Sequence, residues 1–211
     1  MLATSQLTFA YGSQKRFSFP DLHCADRESL LILGRSGTGK TTLLHLLALL
    51  LTPESGSVII GKTDLTKLTP AQMAAFRAAN VGIVYQKPHF VSALSVMDNL
   101  LLANYLAGKK QDKPRARQLA GQLGFVEHLT KKTHQLSQGE QQRVSIARAV
   151  MNPVGLILAD EPTSSLDDTN TALVVDLLRQ QSEQIGASLV VVTHDQRLKD
   201  VIENRVDLSV S

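Results

Sequence analysis

Apolar residues along this chain follow two rhythms. Short runs rich in β-branched and leucine side chains, at Ser5–Phe9, Leu30–Leu33, Val58–Ile60, Val81–Tyr85, Leu156–Ala159 and Leu189–Val192, have the length of strands. Between them, residues 40–51, 70–79, 115–123, 138–151 and 169–185 carry apolar positions at helical spacing. Strands alternating with helices predict an α/β fold whose sheet is mainly parallel and covered by helices. The early strands are closely spaced, which predicts a smaller antiparallel β layer at the N-terminal end. No strand pattern occurs between Gln86 and Leu136. The expectation is therefore one domain over 1–211, with a core from 1–86 and 138–211 and an inserted helical subdomain over 87–137.

Composition adds exclusions. The longest apolar run, LLHLLALLL at 43–51, is too short to span a bilayer and is interrupted by His45, so a buried helix is expected and direct membrane insertion is not. The N-terminal residues lack the pattern of a secretory signal. The single cysteine, Cys24, excludes an internal disulfide and suits a cytoplasmic protein. Residues 106–150 hold nine basic and three acidic side chains, whereas 151–211 hold four and ten. The basic stretch admits two readings, a solvated helical face or a surface for anionic lipid or nucleic acid.

Chemistry enters with LLILGRSGTGKTTLLHLL at 30–47, an apolar strand, a glycine-rich turn and an apolar helix. Gly34, four residues, then Gly39-Lys40-Thr41 form the P-loop pattern. In it the backbone of Gly34, Arg35, Ser36, Gly37, Thr38, Gly39, Lys40, Thr41 and Thr42 wraps phosphate oxygens at a helix N-terminus. Lys40 places a cation on the β- and γ-phosphates, and the Thr41 hydroxyl is a Mg²⁺ ligand. Downstream, GLILADEP at 155–162 is an apolar strand ending in Asp160 and Glu161. Two adjacent acids could be a solvated loop. Beside a P-loop they read as a magnesium-holding carboxylate, Asp160, and a base that orients or deprotonates water, Glu161. His194 and Gln86 also follow strands, where ligands gather in parallel sheets. His194 is then a γ-phosphate contact, and Gln86 a contact to Mg²⁺ or water. These features predict a P-loop NTPase core that takes ATP and Mg²⁺.

LSQGE at 136–140 reads first as a capping box, with Ser137 as N-cap and Glu140 three residues on. It also offers a hydroxyl, the Gly139 N–H and a helix N-terminus, the parts of an anion cradle. A single-site NTPase has no use for a second cradle; one that closes over another subunit's nucleotide does.

In order and spacing these motifs resemble the ATP-binding subunits of ABC transporters along nearly the whole chain. Tyr11 falls at the adenine-stacking position, GRSGTGKT at the P-loop, Gln86 at the Q-loop and LSQGE at the signature. LILADE follows as Walker B, SSLD at 164–167 as the D-loop and His194 as the switch histidine. The stretches VYQKPHFVSALSVMDNLLLA and GEQQRVSIARAV look most like the LolD/MacB group of lipoprotein-release and macrolide-export proteins. The resemblance implies two identical subunits sandwiching two ATP molecules. Each nucleotide would lie between one subunit's P-loop and the other's Ser137 and Gly139, with Asp167 as a cross-dimer contact. It implies an integral-membrane permease as partner and a place on the cytoplasmic face of the inner membrane. Tyr11 could also be a plain turn residue, and Asp167 could cap the helix that follows.

Gln138 departs from the pattern, standing where the family's LSGGQ or LSGGE has glycine. With the last apolar pattern close to Ser211, an accessory regulatory domain is not expected. Three rivals compete. A small-molecule kinase would explain the P-loop but not LSQGE, the acidic pair or His194. A non-transporting relative that regulates a cell-wall enzyme across the membrane shares every motif. DNA-repair and translation relatives carry coiled-coil insertions or paired ATPase domains that 211 residues do not hold, so nucleic acid is not an expected partner.

Overall fold

The computed structural model describes residues 1–12, 15–164 and 168–210. In chain order the elements are β1 (Leu2–Ala10), β2 (Arg16–Ser18), β3 (His23–Cys24), β4 (Ser29–Leu33), α1 (Lys40–Leu47), β5 (Ser55–Ile60) and β6 (Thr63–Asp64). There follow α2 (Pro70–Asn80), β7 (Val81–Val84), α3 (Val96–Leu106), α4 (Lys113–Gln122), α5 (Gln138–Ala149), β8 (Leu156–Asp160), α6 (Asp168–Ile185), β9 (Ser188–Thr193) and β10 (Arg205–Asp207).

Two sheets result. The order β10-β4-β9-β8-β7 is parallel throughout, and the order β2-β1-β5-β6, with β3 also on β1, is antiparallel. The central strands β4, β8 and β9 are buried on both faces, which is why they read as unbroken apolar runs rather than alternating ones. Period-2 geometry splits their side chains between two cores. Leu31, Leu33, Ile157, Ala159, Leu189 and Val191 face a core shared with α3, α4, α5 and α6. Leu30, Ile32, Leu156, Leu158, Val190 and Val192 face a second core shared with α1 and the antiparallel layer.

The helix expected over 40–51 stops at Leu47, because Leu49 takes a left-handed backbone (φ 58°) that ends the helical turn. The helix expected over 138–151 stops at Ala149, with Val150 as its C-cap. The segment 87–137 is helical, and it contains α3, for which the apolar pattern offered no separate boundary. Ser95 and Asp98 close a capping box at the start of α3. Asn104, late in α3, donates from Nδ2 to Asn152 Oδ1 (2.9 Å), tying this segment to the end of α5 through a buried amide pair. Among the described residues no helix is long and apolar enough to cross a membrane.

Candidate active site

Three parallel strands deliver chemistry at their carboxyl ends. β4 runs into Gly34 and the loop to Gly39, β8 ends at Asp160, and β9 ends at Thr193 before His194. The loop is built by glycine where the chain turns left-handed: Gly37 has φ 80° and Gly39 φ 94°. Gly39 is the N-cap of α1 and offers no side chain to its orphan N–H groups, and no acid lies in the first turn. An uncapped helix start with a cation beside it is an anion site. A cavity of about 720 Å³ lies over it, lined by Phe17, residues 35–37 and 39–42, Gln86, Glu161 and His194. A second space reaches Gly34, Thr38 and Lys15 and shares Phe17, Arg35, Ser36, Gly37 and His194 with the first.

Lys40 is buried, 8% exposed, and its ammonium is fully occupied by this chain. It donates to the carbonyls of Gly34 (2.9 Å) and Arg35 (3.1 Å) and stands 3.4 Å from Glu161 Oε1. Glu161 Oε2 accepts from the Thr193 hydroxyl (2.8 Å), from the His194 backbone N–H (3.3 Å) and, at 2.9 Å, meets His194 Nδ1. Burial acts to raise the Glu161 carboxyl, but the His194 ring, the Thr193 hydroxyl and the His194 N–H outweigh it and hold the group below its ordinary range. Glu161 itself has φ 46°, a strained backbone for a residue with a side chain. Two neighbouring acids are thus shifted in opposite directions. Asp160 is pushed up, chiefly by burial, against the pull of the Thr41 hydroxyl beside it. Its Oδ1 is buried with no hydrogen-bond partner among the described residues. A buried carboxylate oxygen without a partner, next to a threonine hydroxyl, is the donor set a hard divalent cation takes.

The remaining sequence-predicted residues fall in three places. Tyr11, half-exposed at the end of β1, sets its hydroxyl 3.3 Å from Thr42 Oγ1 and packs edge-on against Phe9. Ser137 and Gly139 stand apart, at the start of α5, and no residue of 137–140 lines the cavity over the P-loop. Asp167 lies outside the described residues. Sequence reasoning missed Phe17, which lines both spaces, and Thr193, which holds Glu161. The alternation Phe17-Ser18-Phe19 was the available signal for the first; nothing in the sequence marks Thr193 beyond its place at a strand end.

At α5 the capping box is present: Ser137 Oγ accepts from the Glu140 N–H (3.4 Å) and Glu140 Oε2 accepts from the Ser137 N–H (2.7 Å). A Cβ at Gly139 would meet only Arg143 Nη1 at 3.8 Å, so nothing in this chain's own packing requires glycine there. Gln138 is exposed and lines a small cleft with Gln86 and Gln142. Because its exposed side chain makes no hydrogen bond among the described residues, Gln138→Gly is expected to change ATPase activity only slightly. A tenfold change in either direction in a phosphate-release assay would show the position to be more than a spacer.

The comparisons agree with this geometry. The family model described as ABC transporter matches residues 19–164. The chain is 37% identical over 214 residues to a lipoprotein-releasing system ATP-binding protein LolD of Geobacter metallireducens, covering 99% of this chain and 95% of that one. It is 40% identical over 182 residues to a macrolide export ATP-binding/permease protein MacB of Campylobacter jejuni, covering 83% of this chain but 28% of that longer one. Among solved structures, the dimeric ABC transporter cassette MJ0796 superposes with a TM-score of 0.89 at 28% identity, covering 99% of this chain and 94% of that one. The same cassette as a post-hydrolysis dimer with ADP and Pi gives 0.88. Strand ends, glycine loop and relatives together assign the chain to the ABC transporter family, as an ATP-binding and ATP-hydrolysing subunit of the LolD/MacB type.

Proposed function

We propose that two copies of this chain close head to tail around two ATP molecules and thereby drive an integral-membrane permease on the cytoplasmic face of the inner membrane. The observation that carries this reading is the isolation of Ser137 and Gly139. An exposed helix start, with a glycine its own packing does not require, lines none of the cavity over its own chain's phosphate loop, and it finds a use against a second copy's nucleotide. The dimeric state named for the MJ0796 cassettes supports it.

In this reading the N–H groups from Gly34 to Thr42 and the Lys40 ammonium bind the phosphates, Tyr11 stacks on the adenine, and Ser137, Gly139 and Asp167 contact the nucleotide and P-loop of the other copy. Thr41, Asp160 and Gln86 would hold Mg²⁺, which would supply charge neutralisation at the phosphate oxygens. Lys40 exchanges its present acceptors for phosphate oxygens, and this removes one of the charges now facing Glu161. Glu161 is then free to turn toward a water molecule, which it orients and whose proton it accepts. His194, whose ring already lines the cavity, turns to the γ-phosphate. Positioning and charge neutralisation are most of what phosphoryl transfer needs.

The permease docks on a groove beside Gln86. Ile83 from β7, Tyr85 just beyond its end, and Leu102 and Leu106 from α3 line this space of about 460 Å³. Leu106 (66% exposed) and its neighbour Tyr105 (71%) have no cover in the chain. One surface therefore touches both the strand leading to Gln86 and the helical segment 87–137, which moves as the lever between nucleotide and partner. The cargo class follows the relatives, lipoprotein release or macrolide-type extrusion. Purification from the native membrane tests it. A permease with a large extracytoplasmic domain is the expected companion; a companion bound to a cell-wall hydrolase would replace transport by transmembrane signalling.

A further inference from the structure

Behind the signature serine stands a side chain that no motif includes. His128 ends a 3-10 turn, Val126–His128, whose flanks Phe125 and Leu129 are buried. The turn is fastened to the start of α3: Met97 N–H donates to Leu129 O and Val96 N–H to Lys131 O, each at 2.9 Å. From this anchored position His128 Nε2 reaches Glu140 Oε1 at 2.8 Å, with Glu127 Oε1 farther off at 3.3 Å. Among the described residues the other ring nitrogen, Nδ1, is buried without a hydrogen-bond partner. All of the ring's hydrogen bonding is therefore spent on these two carboxylates, and chiefly on Glu140.

Glu140 passes the constraint on. Its second oxygen, Oε2, accepts both the N–H (2.7 Å) and the hydroxyl (2.8 Å) of Ser137. Those Ser137 bonds, with a smaller contribution from His128, hold the Glu140 carboxyl down to about 2, so it is ionised at neutral pH. An ionised carboxylate only accepts, so Nε2 must carry the proton in this bond. The charge stands directly behind a hydroxyl that, in the head-to-tail reading, has to face a triphosphate. An unpartnered carboxylate there would repel the ligand and could swing the serine with it.

We infer that His128 is a positioning residue for the trans nucleotide contact: its Nε2–H fixes and partly neutralises Glu140, which holds the Ser137 backbone N–H at the helix start, so that on closure the Ser137 hydroxyl turns its proton from Glu140 Oε2 to the ATP held by a second copy. This rests on the head-to-tail reading above. His128 lines neither space over the P-loop, so its effect should fall on closure rather than on binding there.

The test measures two quantities in a Glu161→Gln background, in which bound ATP is not consumed: ATP affinity of the monomer, and the ATP concentration that half-dimerises the protein by light scattering. His128→Ala should raise the second on the order of tenfold, the loss of one charge-assisted hydrogen bond, and leave the first within about twofold. His128→Gln, which keeps a donor, should recover most of the loss. With Glu140→Gln already present, His128→Ala should have little further effect, because the charge it answers is gone. Equal losses in both quantities would overturn the inference, since the role would then be general stability. Dimerisation unaffected by His128→Ala, failure of His128→Gln to recover, or additive effects of His128→Ala and Glu140→Gln would overturn it as well. If the Glu161→Gln protein with His128 intact stays monomeric in saturating ATP, the head-to-tail reading itself falls.

Discussion

Glu161→Gln lowers ATP hydrolysis roughly 10²–10⁴-fold, the usual contribution of a positioned general base, while ATP binding persists and the protein accumulates as an ATP-bound dimer. The geometry explains why the two effects separate. Glutamine has nearly the shape of glutamate, and its carbonyl oxygen still accepts from the Thr193 hydroxyl and the His194 N–H that now hold Oε2. The strained backbone at φ 46° is stabilised by contacts the amide keeps, including Glu161 N–H to Val192 O at 2.8 Å. What disappears is the negative charge and with it the proton acceptor. Lys40 loses an ion-pair partner at 3.4 Å but retains two carbonyls, so its ammonium is more available to phosphate, not less. The cost falls on the nucleotide-free form, where a buried cation is left with fewer counter-charges. Phosphate-release kinetics and light scattering in ATP check both halves. Hydrolysis reduced less than tenfold would remove Glu161 from the water-activating role. A variant that remains monomeric in saturating ATP, even beside its membrane partner, would count against the sandwich.

Much of this site was legible because each part is carried by a local pattern. A glycine-rich turn between an apolar strand and an apolar helix has few uses, and acids directly after a buried strand stand out. The five-stranded parallel sheet was legible for the same reason in β4, β7, β8 and β9. β10 was not: Arg205-Val206-Asp207 has one apolar residue between two charges and becomes a strand only because β4 offers an open edge. β2, with three residues, and β3, with two, are likewise paired to β1 by tertiary context. α3 escaped for a different reason. Its sequence VMDNLLLANYL is apolar on most sides, since Val96, Leu100 and Leu101 are buried while Tyr105 and Leu106 face outward. A helix apolar all round has no clear period, and only the Ser95-to-Asp98 box marked its start. His128 lay beyond reach altogether: it stands twelve positions before Glu140, and no rule of spacing joins a 3-10 turn to a helix cap.

The packing of β7 on α5 leads to an expected effect on stability as large, in its own measure, as that of Glu161 on rate. A Cβ built on Gly82 would lie 2.3 Å from the carbonyl oxygen of Ala149 and 3.0 Å from its carbonyl carbon. The obstacle is backbone at the end of α5, not the tip of a flexible side chain, so relief requires the strand and the helix to separate. Overpacking of this kind costs about 3 kcal/mol, which lowers the melting temperature of a domain of this size by roughly 6–12 °C. Gly121→Ala is the control. Gly121 lies in α4 with nothing within 4 Å of its would-be Cβ, and alanine there should stabilise by about 0.5–1 kcal/mol. The same chemical change thus carries opposite signs at two glycines, and thermal unfolding decides it. Gly82→Ala melting with the wild type would mean that strand and helix part without cost. The consequence reaches function, because β7 leads through Tyr85 to Gln86 and α5 begins at the signature. Gly82 sets the distance between these two elements at their far ends, and a chain forced apart there should need more ATP to close.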